Sequence, residues 1–140
     1  MGGYTQDEVR RLIEGSERAN KMKHDINFVF GFTISCMRFE KERWPDHTTI
    51  CQVPIGKVLN GEYRLTFRRM EGGHMTIDLG HEIDDISGHN FWKLENGVEK
   101  LPLVFISPIY CGLPQVLSVA SKMMTLLDER AHKLIEFAKS

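Results

Sequence analysis

The sequence is poor in cysteine and has no pair of cysteines at a metal-binding or redox spacing. It contains three cysteines in 140 residues, an odd number without a C-x-x-C pair. A disulfide framework needs paired cysteines, and a tetrahedral zinc site needs clustered ligands, so we expect neither. Unpaired cysteines are typical of a reducing compartment, and we expect a cytoplasmic protein.

Motifs of the common enzyme and cofactor-binding classes are also missing. The chain has no Walker A loop, dinucleotide-binding glycine motif, H-E-x-x-H, nucleophile elbow or EF-hand loop. No apolar run approaches the roughly 18 residues of a membrane span, and no signal peptide opens the chain. The net charge of −1 favours neither nucleic acid nor anionic lipid. We expect no cofactor, no metal and no membrane attachment.

What the sequence does contain is the composition of an ordinary globular protein. Hydrophobic residues make up 41% and charged residues 26% of the chain. Internal repeats, low-complexity tracts and linker-like segments are absent from the sequence. One domain spanning residues 1–140 is therefore the simplest prediction.

The N-terminal part predicts a helix followed by a strand. Thr5 and Glu8 have the T-x-x-E spacing of a capping box, and an apolar stripe follows them. We predict a helix from about residue 6 to about residue 23. Residues 27–39, rich in Phe, Val, Ile and Thr with apolar residues at alternate positions, predict a long strand.

The middle of the chain predicts a meander of hairpins. Three short loops, at residues 59–61, 71–73 and 95–97, each end in glycine, as a type I turn with a bulge requires. Since a slip of one residue would expose a whole apolar set, the apolar alternation fixes the register. The predicted pairs are Val53 with Phe67 and Ile55 with Leu65 in the first hairpin, Phe67 with Ile77 and Leu65 with Leu79 in the second, and Leu94 with Val98 in the third. Pro54 cannot donate to a ladder, which places its strand at or near a sheet edge.

The C-terminal third predicts a buried strand and then a long helix. Residues 101–108 form a continuous apolar run, and we expect the helix after Gly112, with Pro114 in its first turn. The predicted fold class is α+β: an N-terminal helix, a five- to seven-stranded mainly antiparallel meander sheet and a long C-terminal helix, with the helices packed on one sheet face.

Residues 71–89 hold the densest polar cluster of the chain. His74, His81 and His89 are separated by seven and eight residues, a spacing that does not predict convergence on one metal ion. The strand alternation places His74 and Asp78 on the outer, solvent-facing side of the sheet, beside Arg64 and Arg68. The candidate binding residues on the sheet side are Arg64, Arg68, Asp78, His81, Asp84, Asp85 and His89.

Cys111 is the one candidate for catalysis. It lies in a loop before the predicted long helix, where a thiol would be acidified by the helix dipole. Partnered with His74, His81 or His89, it would form a nucleophile–base pair. Cysteine is also among the most buried residue types, and the neighbouring Tyr110 and Leu113 favour a structural position for Cys111.

The function that these features favour is a small non-enzymatic protein-binding module, an adaptor, inhibitor or chaperone-like protein, expected to be a homodimer. The C-terminal helix has more apolar positions than one side of a small sheet covers. The predicted interface residues are Val116, Val119, Met123, Met124 and Leu126. The alternatives are a small cysteine/histidine enzyme using Cys111 and a nucleic-acid or phosphate-ligand binder with an arginine-rich sheet face.

Overall fold

The fold is α+β, with two long helices and one antiparallel sheet. The structure is a computed structural model that describes residues 3–39, 44–81 and 91–139, without the side chains of residues 39, 123–135 and 139. The helices are α1 (Gln6–Phe39) and α2 (Ile106–Lys139), and the strands are β1 (Thr48–Val58), β2 (Gly61–Arg69), β3 (Met75–His81) and β4 (Trp92–Lys93). The sheet order β1-β2-β3-β4 is a meander, and the four strands among the described residues are fewer than the five to seven predicted.

Helix α1 begins at the predicted cap. The Thr5 hydroxyl accepts a hydrogen bond from the Glu8 amide at 3.1 Å, and the Glu8 carboxylate accepts one from the Thr5 amide at 3.3 Å. This reciprocal pair satisfies two amides that the first turn would otherwise leave without partners.

The predicted strand at residues 27–39 is wrong, because α1 continues to Phe39. The buried positions Ile26, Phe30, Thr33 and Met37 are spaced by three or four residues and therefore share one side of a helix. Burial of this side against the sheet and α2 outweighs the β-propensity of the segment, which is a weaker influence than packing.

The second predicted hairpin is confirmed residue by residue. Phe67 lies opposite Ile77 and Leu65 opposite Leu79, and all four side chains are fully buried. The predicted apolar alternation therefore sets the pairing of the two central strands.

In the first hairpin the predicted register is wrong by two residues. Val53 lies opposite Leu65 instead of Phe67. The turn has two residues, Leu59 and Asn60, both with positive φ (55° and 81°), instead of three, and a register shift between Pro54 and Gly56 follows. Apolar residues still face apolar residues, since the difference is even. β1 is an edge strand, as Pro54 predicted.

The third predicted hairpin and the predicted strand at residues 101–108 are also wrong. A turn does form, with the Gly97 amide donating to the Leu94 carbonyl at 3.0 Å, but no strand follows it. Residues 103–105 form a 3₁₀ turn and α2 begins at Ile106, so Pro114 lies inside the helix. Phe105, Ile106 and Ile109 are buried at helical spacing, and this burial selects the helix.

Both helices cover the same face of the sheet. α1 contacts β3, α2 contacts β1, and the helices contact each other. The buried cluster joins both helices to one sheet face. Its central members are Ile26, Phe30, Met37, Val53, Leu65, Phe67, Ile77, Leu79, Phe105, Ile109, Val116 and Ala120.

One described segment meets the length and composition criteria for crossing a membrane. Leu103–Lys122 has 20 residues and a mean hydropathy of 1.7, although no single apolar run in it had suggested a span. A third of it (33%) is buried in the fold, and core helices of soluble proteins meet the same criteria.

Candidate functional site

The sheet face that the helices do not cover has a row of polar side chains. In β2 and β3, Arg64 lies opposite Gly80, Thr66 opposite Asp78 and Arg68 opposite Thr76. In β4, Lys93 lies opposite Asp78 on its other side. We call this set the polar sheet face: Arg64, Thr66, Arg68, Thr76, Asp78 and Lys93. Directly opposed residues point to the same side of a sheet, so the strand pairing brings these side chains together.

The centre of the polar sheet face is buried, which corrects the prediction that it faces solvent. Thr66 is 0%, Thr76 5% and Asp78 8% exposed. These residues lie on the two central strands, β2 and β3. On the same face, the Arg68 guanidinium lies 5.6 Å from the centre of the Phe91 ring.

Asp78 is the buried carboxyl of this face. Burial raises its pKa above the ordinary value of 3.8, since the charged form loses solvation. Arg68 and Lys93 oppose this rise by attracting the carboxylate, while Glu95 adds to it by repulsion. A weak hydrogen bond of 3.5 Å from the Thr76 hydroxyl also lowers the pKa.

The cations of this region lie outside its carboxylates. Lys93 is exposed, and Arg64 and Arg68 are half-buried. Asp78 is buried, and the Glu95 side chain is only 11% exposed, with its Oε1 atom 3.7 Å from His74 Nε2. Around Asp78 an approaching molecule therefore meets positive charge first, whereas the exposed Glu62, on the same side of β2 beyond Arg64, places a negative charge at the end of this face.

The predicted binding residues divide between three places. Arg64, Arg68 and Asp78 meet on the polar sheet face. His81 ends β3 on the opposite face, where it packs edge-on against Tyr63 at 5.3 Å. The other predicted binding residues, Asp84, Asp85 and His89, lie outside the described residues.

Cys111 is exposed and lies five residues into α2. The predicted position of Cys111 in a loop at the start of the helix is therefore wrong. Of the three histidines predicted as its possible partners, His74 pairs with Glu95, His81 packs against Tyr63, and His89 lies outside the described residues. In the described part of the chain, no three His, Cys, Asp or Glu residues are grouped as metal ligands.

The predicted interface residues all belong to α2, but they differ in position. Val116 is fully buried in the chain's own core, and Val119 is half-buried against it. Met123, Met124 and Leu126 lie in the part of α2 whose side chains are outside the description.

Sequence reasoning missed the exposed aromatic residues of α1. Phe28 is 71% and Phe32 43% exposed, on the side of the helix away from the core. The available signal was the absence of any charged residue from position 26 to position 37. A helical segment without charge on any side has no face suited to water.

The chain matches no protein-family model, and comparisons with curated proteins and with solved structures gave no match.

Proposed function

We propose that the protein is a non-enzymatic binding module of the adaptor, inhibitor or chaperone-like kind, whose polar sheet face receives an acidic segment of another protein. The observation that supports this proposal is the arrangement of charge on that face. Around Asp78, Lys93 is exposed and Arg64 and Arg68 are half-buried, whereas Asp78 is buried and the Glu95 side chain is only 11% exposed.

Arginine suits such a role because its planar guanidinium binds a carboxylate with two parallel hydrogen bonds. The Arg68 guanidinium packs over the Phe91 ring and attracts the buried carboxylate of Asp78, and such prior ordering reduces the side-chain freedom lost on binding. Arg64 and Arg68 are four residues apart on one face of β2, a spacing of about 13 Å along a strand. An extended acidic segment is long enough to reach both.

The test begins with partners recovered by the tagged protein from its native host and identified by mass spectrometry. Each recovered partner is then titrated against the wild type, the R64Q/R68Q variant and the control R10Q/R11Q, which removes the same charge from the exposed start of α1. We expect R64Q/R68Q to weaken binding at least tenfold, the control to leave it unchanged, and truncation of an acidic stretch in the partner to reproduce the loss. Equal binding by all three proteins would contradict the proposal.

The same charge arrangement also favours a second candidate, a nucleic-acid or phosphate-ligand binder. A labelled single-stranded oligonucleotide and inorganic phosphate, titrated at low salt, separate the two. Binding of the oligonucleotide that falls steeply with salt, without a recovered protein partner, would replace the first proposal with the second.

A further inference from the structure

The outer side of the helical layer is free of charged residues along much of its length. Neither residues 26–37 of α1 nor residues 101–121, which lead into and form the first half of α2, contain Asp, Glu, Lys or Arg. Both helices lie on the same sheet face and contact each other, so their outer sides are adjacent. We call the two sides together the outer helical face.

On α1 this face is aromatic. Phe28 and Phe32 are one helical turn apart and 71% and 43% exposed. Between and beyond them lie Gly31 and Ser35, and the Ser35 hydroxyl donates to the Gly31 carbonyl at 3.0 Å. The one hydroxyl of this strip is therefore satisfied within the helix, and the strip offers two rings as its contact groups.

On α2 the same face includes a row of small side chains, next to which the exposed Gln115 and Leu117 lie. Five exposed residues follow one another at intervals of four, three, four and three residues, the spacing of a helix–helix seam. They are Ser107, Cys111, Pro114, Ser118 and Ser121. A seam of small residues leaves a shallow groove along the helix, into which larger side chains of a facing helix fit.

In an isolated chain, this apolar surface is exposed to water at a cost in free energy. The outer side of a helix that covers a sheet is ordinarily polar, and exposed rings in a charge-free region mark a contact surface. A hetero-partner chosen by charge would need opposing charges, and the outer helical face has none. The same surface of another copy supplies a groove for these rings and rings for this groove.

We propose that two copies of this chain associate through their outer helical faces, with Phe28 and Phe32 of each copy packed in the small-residue groove of α2 of the other. A two-fold axis parallel to the helices brings α1 of one copy over α2 of the second, and the reverse contact follows by symmetry. The four helices then form the centre of the dimer.

The size of the face is that of a weak, reversible dimer. Two helices side by side are about 20 Å wide, and the charge-free lengths are about 18 Å on α1 and about 24 Å on α2. The projected area is thus about 400 Å² per copy, and the protruding rings add to its accessible area, against about 800 Å² per partner in a standard interface. Leu103 and Val104, 65% and 43% exposed, extend it at the start of α2.

Such a dimer has its two sheets outside and presents two polar sheet faces on opposite sides. If those faces bind acidic segments, one dimer joins two partner molecules, as an adaptor does. This consequence rests on the proposed function, whereas the dimer itself does not.

The first experiment measures the mass of the full chain by analytical ultracentrifugation across a hundredfold range of concentration. We expect a monomer–dimer equilibrium for the wild type and at least a tenfold weaker one for F28S/F32S. The matched control is L12S/I13S, which changes two exposed apolar residues of the same helix (60% and 52% exposed) outside this face and should leave dimerisation unchanged. Circular dichroism checks that each variant retains its helices.

The second experiment uses Cys111 of the wild-type chain, so it does not depend on the folding of a variant. Cys111 lies in the α2 groove, whereas Cys36 is buried and Cys51 is half-buried with a pKa raised to about 11 by burial. We expect a thiol reagent to label Cys111 quickly in dilute protein and at least fivefold more slowly in concentrated protein. The slowing should disappear in F28S/F32S.

A chain that is monomeric at all concentrations, or whose Cys111 reacts at one rate throughout, overturns the proposal. Flotation of the monomer with phosphatidylcholine–phosphatidylglycerol vesicles would overturn it in favour of a membrane surface as the cover. Loss of partner binding in R64Q/R68Q with the dimer intact would support the proposed function separately, so the two proposals fail independently.

Discussion

The outer face of the sheet and the outer face of the helical layer have opposite relations between polarity and burial. On the sheet, Thr66, Thr76 and Asp78 are polar and at most 8% exposed. On the helices, Phe28 is apolar and 71% exposed. Each arrangement costs free energy in an isolated chain, one by desolvating polar groups and the other by hydrating rings. Neither arrangement stabilises the fold of an isolated chain, and our two proposals assign both surfaces to binding.

The largest expected effect comes from two neighbouring phenylalanines of α1. Phe30 is 2% exposed and belongs to the core, whereas Phe28 is 71% exposed. We expect F30A to lower the free energy of unfolding by about 3–5 kcal/mol, since it leaves a cavity. We expect F28A, measured in dilute protein, to change it by no more than about 0.5 kcal/mol. Urea denaturation of the two variants checks both values.

Equal losses in F28A and F30A would contradict the helical geometry of this segment. In the strand predicted from the sequence, residues 28 and 30 share one face, so the two substitutions would have similar effects. The pair thus tests the main disagreement between sequence and structure as well as the exposure of Phe28.

That disagreement has a physical cause. Residues 27–39 have the composition of a strand and an apolar residue at every second position, but the burial that stabilises them follows intervals of three and four. Phe30 and Ile34 fit both the strand alternation and the buried side of the helix, and Met37 fits the buried side. Contacts with the sheet and α2 decide which of the two structures forms. Local propensity does not contain that information.

In the hairpins, the sequence is sufficient to predict the register of one strand pair but not of the other. In β2 and β3, long alternating strands fixed the register, because any odd slip would turn Leu65 and Phe67 out of the core. In β1, the register also depended on the length of the turn at Leu59 and Asn60 and on the irregularity near Gly56. A shift by two residues keeps apolar residues opposite apolar residues. The alternation alone therefore could not predict which of these two registers β1 adopts.

Only part of the candidate site could be predicted from the alternation of the strands. Alternation predicted that Arg64, Arg68 and Asp78 share a face, and they do. It also could have excluded His81, which has the parity of Ile77 and Leu79 once β3 extends to its end. The burial of Asp78 and the outward position of the cations depend on neighbouring strands and could not be predicted from spacing.

A smaller effect is expected from two fully buried threonines, one in each layer. Thr33 donates its hydroxyl to the Val29 carbonyl at 2.8 Å, whereas the Thr66 hydroxyl, on the described polar sheet face, has no hydrogen-bond partner. We expect T66V to raise the free energy of unfolding by about 1 kcal/mol, because it removes an unsatisfied buried group. T33V removes a hydroxyl that has a hydrogen-bond partner, so it should raise the free energy of unfolding by less than T66V does, or lower it. A destabilised T66V would show that this hydroxyl has a partner in solution, such as bound water or a ligand.

The smallest expected effect at neutral pH is that of D78N, because Arg68 and Lys93 offset part of the burial cost of the carboxylate. The pKa of Asp78 is raised in the folded chain, so the folded state holds this proton more tightly than the unfolded state does. The wild type therefore loses stability relative to D78N as the pH rises from the ordinary value of 3.8 through the raised pKa, and the difference is constant above it. Below pH 3.8 both proteins lack the charge and their stabilities should converge. Urea denaturation of both proteins between pH 3.5 and 7.5 measures this difference. If D78N is instead less stable than the wild type at neutral pH, attraction by the two cations exceeds the cost of burial, and Asp78 would then contribute to the stability of the polar sheet face as an ion pair.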